Sequence, residues 1–432
     1  MESLMKITFK ILFLSFTMGC LSAEDIFTLH GQLQFNANNA GNGGSDVWGY
    51  TSPDGEDYAI MGILEGVVFI RAEDLAIIDT VLGPTYNDPY YHRDIKTFGH
   101  YAFVVSENTG ENEGMQIIDL SGLPDSVHLV ESYVYNDQVR SHNLTIDTQT
   151  GFAYVCGQYH DGLRVIDINN PETPVDVSFI NTEQIHDAFA RNDTVYIAEG
   201  WRGSFSIYNL AEKTNPELLA RVQILNNGYV HTIWPSDDGK YVVTTEETVS
   251  KTVKIWSIED LNNIEITGEY LGENSIAHNA QVLGNRIFIS NYTYGMSIVD
   301  FSNPSILIES AYFDTYPESN DPSPPWVGNW GIFQYTANDF VYGSDIDGKF
   351  TVMKFYKGLD YAMGYGDING DQLVDVSDFI LLVNMIMNQE NLTDEQWEIA
   401  NLNFDNILDV FDLLLLSHFD LLLLSHIVFL NN

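Results

Sequence analysis

Two segments near the end of the chain carry oxygen-bearing side chains at the spacing of a calcium-binding loop. In D-I-N-G-D-Q-L-V-D-V-S-D, residues 367–378, oxygen side chains occupy positions one, three, five, nine and twelve, and position seven offers a backbone carbonyl. The predicted ligands are Asp367, Asn369, Asp371, Leu373, Asp375 and Asp378. The segment 401–412 repeats the pattern with Asn401, Asn403, Asp405, Ile407, Asp409 and Asp412. We therefore predict two Ca²⁺ sites; the alternative is a pair of solvated acidic loops.

Five histidines recur at one position of a longer repeat. They are His92, His142, His186, His231 and His278, and Trp48 and Trp330 stand near the corresponding places in the two outer copies. Imidazole is the commonest transition-metal ligand and titrates near neutrality, so the five could hold a metal or an anionic group, or respond to pH. The alternatives are a structural role, in which each histidine hydrogen-bonds a neighbouring repeat, and catalysis. No G-x-S-x-G, H-E-x-x-H or phosphate-binding glycine loop supplies an obvious catalytic apparatus.

The histidines belong to a repeating β-meander. Residues 140–182 contain four short runs rich in β-branched and aromatic residues, separated by Gly, Pro, Asn and Asp, which predicts a four-stranded antiparallel unit. Copies recur at about 44–51 residues, a period typical of propeller blades. The sequence thus predicts an all-β, seven-bladed β-propeller over Asp46–Lys357, with six or eight blades as alternatives. Since the first strand of each blade lines the central channel, we expect the histidines to surround one mouth of it.

The repeat copies resemble a known family. The third-strand segments read I-I-D at 117–119, V-I-D at 165–167 and I-V-D at 298–300, the last two followed by Asn-Pro. They are similar to LVIVD repeats, and the whole propeller resembles the choice-of-anchor B family of secreted bacterial proteins. The resemblance implies a surface or extracellular location and leaves the activity undefined.

Each predicted calcium loop is followed by an apolar helix, F-I-L-L-V-N-M-I-M and F-D-L-L-L-L-S-H. Two loop–helix units resemble a type I dockerin domain over residues 365–426, after a linker at 358–364 and before a short tail at 427–432. The resemblance implies calcium in both loops and a cohesin-like partner. At the positions that face cohesin in dockerins, this chain has Val376, Ser377, Val410 and Phe411.

The beginning of the chain has the order of a secretory signal peptide over residues 1–23. Basic Lys6 and Lys10 precede an apolar run and a group of small residues, and the run is too short to span a bilayer. We expect cleavage after Ala23, with lipidation of Cys20 as the alternative, and residues 24–45 as an N-terminal segment before the propeller. The duplicated F-D-L-L-L-L-S-H near the other end is also a poor membrane span because each copy carries an aspartate.

The charge of the protein limits its partners. The sequence has 61 acidic and 18 basic residues, a formal net charge of −43, which repels nucleic acid and anionic membrane surfaces. We therefore expect no nucleic-acid partner. Cys156 is expected to be a small apolar residue within a strand, because Cys20 lies in the segment that is removed.

Two classes of function fit these observations. The preferred hypothesis is an exported, non-enzymatic binding or scaffold protein, whose propeller presents a recognition surface to a protein or glycan. The calcium-binding tail would attach it to a cell-surface or multiprotein assembly. The alternative is an extracellular enzyme that acts on polysaccharide, with its active site at the channel mouth.

Overall fold

The computed structural model describes residues 25–85, 92–134, 140–157, 162–182, 184–273, 275–323, 326–356, 368, 376–387, 397, 400, 408–409 and 412. Within these residues lie 28 β-strands and one α-helix. The chain divides at residue 364: Glu24–Met363 form one compact unit, and Gly364–Asn432 belong to a second. The expected signal peptide lies outside the described residues.

Seven antiparallel sheets of four strands each build the larger unit. Strand β1 (Ile26–Gln34) belongs to the last of these sheets. The other six follow the chain, each with its strands in sequence order. The first sheet contains β2 (Gly44–Thr51), β3 (Asp57–Ile63), β4 (Gly66–Arg71) and β5 (Ala76–Leu82), and the second contains β6 (Arg93–Phe98), β7 (Tyr101–Ser106), β8 (Met115–Asp119) and β9 (His128–Tyr133). The third sheet contains β10 (Ser141–Asp147), β11 (Phe152–Gly157), β12 (Leu163–Asp167) and β13 (Val175–Ile180), and the fourth contains β14 (Asp187–Arg191), β15 (Thr194–Ala198), β16 (Ser204–Asn209) and β17 (Glu217–Gln223). The fifth sheet contains β18 (Val230–Pro235), β19 (Tyr241–Glu246), β20 (Val253–Ser257) and β21 (Glu265–Tyr270), and the sixth contains β22 (Ala280–Leu283), β23 (Arg286–Ser290), β24 (Met296–Asn303) and β25 (Ile306–Phe313).

The seventh sheet joins the two ends of the larger unit. It contains β26 (Asn329–Phe333), β27 (Phe340–Asp345), β28 (Lys349–Tyr356) and, as its outermost strand, β1. Ile26 pairs with Tyr356 and Gln34 pairs with Lys349 in an antiparallel register. Residues 26–34, expected to precede the propeller, are therefore a strand of its last blade. The predicted seven-bladed propeller of four-stranded sheets is confirmed.

The hydrophobic core lies between neighbouring sheets. The middle strands are apolar on both faces, as in β3, where every residue is buried, whereas an outer strand such as β17 is mostly exposed. Phe103 and Ile117 of the second sheet form one cluster with Leu144 and Val155 of the third. The same contact closes the ring, because apolar side chains of the first sheet cluster with those of the seventh. Every sheet is thus covered on both faces.

The second unit contains the helix α1 (Val376–Met387), which begins at the end of the first predicted calcium loop. Leu382 is fully buried and Ile380 is exposed, so the helix has one apolar face covered and another open. No helix among the described residues is long and apolar enough to cross a membrane.

Candidate functional site

The five repeated histidines meet in the larger unit. Their imidazoles follow one another in chain order, and Trp330 completes the circle; we call these six side chains the histidine ring. The distances between ring centroids are 4.4 Å for His92–His142, 4.5 Å for His142–His186, 4.0 Å for His186–His231, 4.1 Å for His231–His278, 4.3 Å for His278–Trp330 and 5.8 Å for Trp330–His92. All five histidines are buried. Trp48 lies in the middle of β2, where it packs against Trp234 and Phe333.

A local irregularity of the innermost strands positions several of these side chains. The register of β10 with β11 shifts between Ser141 and Leu144, and that of β18 with β19 shifts between Val230 and Ile233. His142 and His231 lie within these shifts. Extra residues at the start of a strand re-aim their side chains, and such bulges are common at the rims of barrels. The innermost strand can therefore present a polar ring to the channel while its next residues enter the core.

Two histidines are held by the backbone of the next blade through Nδ1. His186 Nδ1 lies 2.8 Å from the carbonyl oxygen of His231, and His278 Nδ1 lies 2.6 Å from that of Trp330. A carbonyl oxygen only accepts, so Nδ1 carries the proton and donates it in both residues. In the neutral imidazole Nε2 then carries a lone pair. The hydrogen bond that joins adjacent blades also prepares Nε2 as an acceptor or ligand.

Side chains fix the same proton arrangement in His231. Its Nδ1 lies 3.0 Å from the hydroxyl of Thr232, and that hydroxyl donates to Asn279 Oδ1 at 2.9 Å. A hydroxyl has one proton to donate, so it must accept from Nδ1–H of His231. The Nε2 atom of His231 therefore carries the lone pair as well.

His142 differs because both of its nitrogens meet polar partners. Its Nε2 lies 2.8 Å from Nε2 of His186, and its Nδ1 lies 2.7 Å from Glu107 Oε1. Since His186 donates through Nδ1, His142 supplies the proton between the two Nε2 atoms. Glu107 Oε1 is the hydrogen-bond partner of the other ring nitrogen, Nδ1.

Glu247 faces the opposite part of the ring. Its Oε2 lies 4.0 Å from His231 Nε2, and Tyr292 donates its hydroxyl proton to Oε1. Burial raises the pKa of Glu247 to about 7. Burial also lowers the pKa of His278 to about 3, and burial with the neighbouring imidazoles lowers the pKa of His231. His231 and His278 are therefore neutral near pH 7.

A cavity of about 760 Å³ runs past the histidine ring. The loops after the second strands and before the first strands of the blades lie at the histidine end, where they contribute Trp201, Tyr229, Glu247 and Trp326. We call this end the mouth. Trp201 is 71% exposed and Trp326 is 38% exposed, and Trp201 packs against Tyr229 at 4.9 Å. Large concave sites lined by aromatic and a few polar groups are typical of ligand-binding sites.

A second polar group lines the channel along the innermost strands. Lys96 Nζ lies 2.7 Å from Asp94 Oδ1 and 3.6 Å from Asp46 Oδ2, and it sits 4.3 Å from the ring centre of Trp48. Burial, with the nearby Asp94 carboxylate, raises the pKa of Asp187 to about 7. Asp94 also accepts a hydrogen bond from the backbone N–H of Leu144, so the group links neighbouring blades.

Sequence reasoning missed the acidic partners of the histidines. Three glutamates each come directly after the second strand of a blade: Glu107 after β7, Glu199 after β15 and Glu247 after β19. The recurrence of an acidic residue at that point was the available signal. It was weak, because Glu199 instead accepts hydrogen bonds from Ser204, Ser206 and Arg221.

In the smaller unit, the structure describes three of the twelve predicted calcium ligands. Asp378 and Asp412, both at position twelve of their loops, are fully buried. Asp378 accepts a hydrogen bond from the backbone N–H of Ile368, and Asp412 accepts one from that of Asp409, each at 2.8 Å. The remaining predicted ligands lie outside the described residues: Asp367, Asn369, Asp371, Leu373, Asp375, Asn401, Asn403, Asp405 and Ile407.

The arrangement at position twelve fits a calcium loop. The Asp378 bond joins position twelve to position two of the first loop, whereas the Asp412 bond joins position twelve to position nine of the second. A cation would offset the desolvation of either carboxylate. In both loops the carboxylate at position twelve is buried. Val376 and Ser377, expected to face a partner, begin α1, and Ser377 is exposed, whereas Val410 and Phe411 lie outside the described residues.

Comparison with known proteins agrees with this architecture. The LVIVD repeat family matches residues 146–182 and 276–315, and the dockerin type I domain family matches residues 365–419. The search of curated proteins found no match. Among solved structures, the β-propeller domain of Myceliophteria thermophila Cps50 (Swd1) is similar in fold, with a TM-score of 0.53 at 10% identity over 76% of this chain and 99% of that one. The chain is thus a seven-bladed propeller with LVIVD repeats, followed by a dockerin type I domain.

Proposed function

We propose that this protein is an exported, non-enzymatic binding protein, and that its C-terminal tail attaches it to a larger assembly. The match of residues 365–419 to the dockerin type I domain carries the proposal. Dockerin domains bind cohesins and are typical of extracellular or cell-surface proteins. A cohesin-like protein, on a cell surface or in a multiprotein complex, is therefore the proposed partner of the tail.

Calcium is the proposed cofactor of the attachment, with one ion in each loop. The buried Asp378 and Asp412 support both sites, because each occupies the position that closes a calcium loop. Ordering the loops around Ca²⁺ would couple cohesin binding to the cation, since the unoccupied carboxylates repel one another.

The mouth of the propeller is the proposed recognition surface. Exposed Trp201 and Trp326 stand at a concave site, and exposed aromatic residues around such a site favour ligand binding over a purely structural role. The proposed ligand of this surface is a protein or a glycan. Both would meet aromatic faces together with the carboxylate of Glu247.

The attachment can be tested with purified type I cohesin and the chain from Glu24 onward. We expect binding in calcium and none in a calcium chelator, as measured by isothermal titration calorimetry. Asp378→Ala together with Asp412→Ala should abolish binding, whereas Trp201→Ala, a matched change at the propeller mouth, should leave it unchanged. Equal cohesin binding with and without calcium, or no binding to any type I cohesin, would contradict the proposal.

The proposed export predicts a processed N-terminus. Mass spectrometry of the protein from a bacterial envelope or medium should find Glu24 as the first residue. A lipid on Cys20 would instead identify a lipoprotein and a different means of surface attachment, which would support the choice-of-anchor B resemblance.

One observation favours an enzyme as the second candidate. A buried carboxyl group with a raised pKa, next to imidazoles in a cavity, is a common arrangement for acid–base chemistry, and Glu247 has that setting. A hydrolytic activity on polysaccharides that Glu247→Gln abolishes would replace the non-enzymatic proposal. The cohesin experiment is independent of this outcome.

A further inference from the structure

We propose that His231, His278 and Glu247 bind one divalent transition-metal ion, with Zn²⁺ the best match, at the mouth of the propeller. One ligand atom from each of the three side chains lies within 4.8 Å of the other two. Two imidazoles and one carboxylate are a frequent ligand set for zinc. This inference goes beyond the proposed attachment function, because it concerns the propeller and does not depend on the tail.

The ligand atoms follow from the hydrogen bonds of each imidazole. His278 donates Nδ1–H to the carbonyl oxygen of Trp330, and His231 donates Nδ1–H to Thr232. Each residue therefore keeps its Nε2 lone pair for a metal. A ligating histidine usually donates its other N–H to a carbonyl, carboxylate or similar acceptor, which fixes its tautomer and orientation. Both histidines already have that support in the structure.

Glu247 is oriented in the same way. Tyr292 donates its hydroxyl proton to Oε1, while Oε2 is the oxygen nearer to His231 Nε2. Oε2 is thus available as the third ligand atom. The buried position of the carboxylate raises its pKa to about 7, and a bound cation would hold it ionised.

The three ligand atoms must move closer together to bind one ion: all lie within 4.8 Å of one another, and a pair at that limit would have to approach by about 1.5 Å. His231 Nε2 and Glu247 Oε2 are 4.0 Å apart. A tetrahedral ion with bonds of about 2.0–2.1 Å places its ligand atoms about 3.3 Å apart, so this pair must approach by about 0.7 Å. Movement of that size lies within the reach of side-chain rotation. Three protein ligands leave a fourth position for water or for an oxygen atom of a bound molecule.

The neighbouring histidines are less suited to the ion. Nε2 of His142 and Nε2 of His186 lie 2.8 Å apart in a hydrogen bond with each other. A metal at either atom would have to break that bond and displace the shared proton. The ion should therefore bind on the side of the ring formed by His231 and His278, where Glu247 supplies a negative charge.

The test uses the chain from Glu24 onward with Zn²⁺ as the probe. Calcium is kept saturating so that the tail loops are occupied, and a chelator that prefers transition metals first strips the protein. Calorimetry should then find one Zn²⁺ equivalent that binds more tightly than any other. Co²⁺ in place of Zn²⁺ should give the visible absorption of a tetrahedral site.

Three variants decide the assignment. His278→Asn keeps a donor for the Trp330 carbonyl but lacks Nε2, and Glu247→Gln keeps an acceptor for Tyr292 without the charge. Each should weaken Zn²⁺ binding by about 100-fold or more, because loss of a ligand should cost more than the 10–100-fold loss typical of outer partners. His92→Asn, in the same ring but outside the three ligands, should leave the affinity close to that of the parent protein.

Several outcomes would overturn the proposal. The proposal is wrong if the parent protein binds Zn²⁺ no more tightly than the Glu247→Gln variant does. It is also wrong if the His92→Asn variant loses as much Zn²⁺ affinity as the His278→Asn variant. Near-ultraviolet circular dichroism checks that each variant is folded, and if His278→Asn fails to fold, the comparison of Glu247→Gln with His92→Asn still decides. Cohesin binding should be unchanged in all three variants, which separates this test from that of the attachment function.

Discussion

At the scale of single residues, the proton on Nδ1 gives the ring histidines two roles at once. His186 and His278 tie adjacent blades together through a backbone carbonyl. The same bond leaves Nε2 unprotonated and fixed in direction. A structural role and a binding role are thus compatible here, and the sequence alone could present them only as alternatives.

The structural role of Nδ1 predicts a difference between two substitutions of His186. His186→Ala removes the donor to the carbonyl oxygen of His231 and leaves that buried acceptor without this partner, so the free energy of unfolding should fall by about 2 kcal/mol. His186→Asn can still donate from a similar position and should lose clearly less. Urea denaturation measures both, and equal losses would show that the carbonyl bond contributes little.

A pH dependence of stability is expected from Asp345, the last residue of β27. It is fully buried, and burial raises its pKa to about 7, although Lys349 acts in the opposite direction and Asp347 adds to the rise. The folded protein therefore holds this proton more tightly than the unfolded chain does. Its contribution to stability is present below about pH 4 and is lost as the pH rises to about 7.

Asp345→Asn should remove this dependence. Above pH 7 the variant should be more stable than the parent protein by on the order of 4 kcal/mol, and near pH 4 the two should be equal. Asn can keep the hydrogen bond that Asn329 donates to Oδ1. Thermal or urea unfolding at several pH values checks this, and a constant difference across the range would contradict it.

Particular residues show how far sequence reasoning reached within the ring. The histidines could be found because one residue type recurs at one position of a repeat. Glu107 and Glu247 have only a weak signal in the sequence, because the second strands end differently from blade to blade: β11 ends at Gly157, for example. Which histidine meets which carboxylate depends on the rotation between blades and on bulges such as that after Ser141.

At the scale of elements, a buried ion pair holds the beginning of β1 in place. Asp25 accepts hydrogen bonds from the guanidinium of Arg286 in β23, and Ser310 in β25 donates to it as well. Both charged side chains are almost fully buried. Arg286 also lies 3.0 Å from Asp300, so three blade elements share one charge network.

Asp25→Ala should therefore destabilise the propeller. It leaves a buried guanidinium with only part of its partners, at a cost of about 3 kcal/mol in the free energy of unfolding. Asp74→Ala is the matched control, because Asp74 pairs with Arg71 at the surface and its loss should change stability little. Similar unfolding midpoints for the two variants would contradict the assigned role of Asp25.

The two predicted calcium loops supply a prediction for the second unit. Asp378 and Asp412 occupy equivalent buried positions, so we expect two Ca²⁺ per chain. Asp367→Ala with Asp378→Ala should reduce the calorimetric stoichiometry from two to one and leave the propeller intact. Unchanged stoichiometry would exclude the first loop as a site.

At the scale of the whole molecule, the repeat period and the turn residues were enough to predict seven blades, because each unit must be covered on both faces. The role of β1 could not be predicted in the same way. Its partner β28 is separated from it by almost the whole propeller, and a nine-residue strand with mixed polarity gives no sign of where it will pair. Local patterns identify strands, whereas long-range register depends on the closed ring.

The closure of the ring by β1 also determines how the protein must fold. Ile26 pairs with Tyr356, so the last contact joins residues about 330 positions apart, and closing such a loop costs about 4 kcal/mol more than closing a short hairpin. Completion of the seventh sheet should then be a late and slow event. Until it occurs, the edge of β28 can accept β1 from a second molecule. Dilute refolding therefore favours closure within one chain, and concentrated refolding favours strand-exchanged dimers.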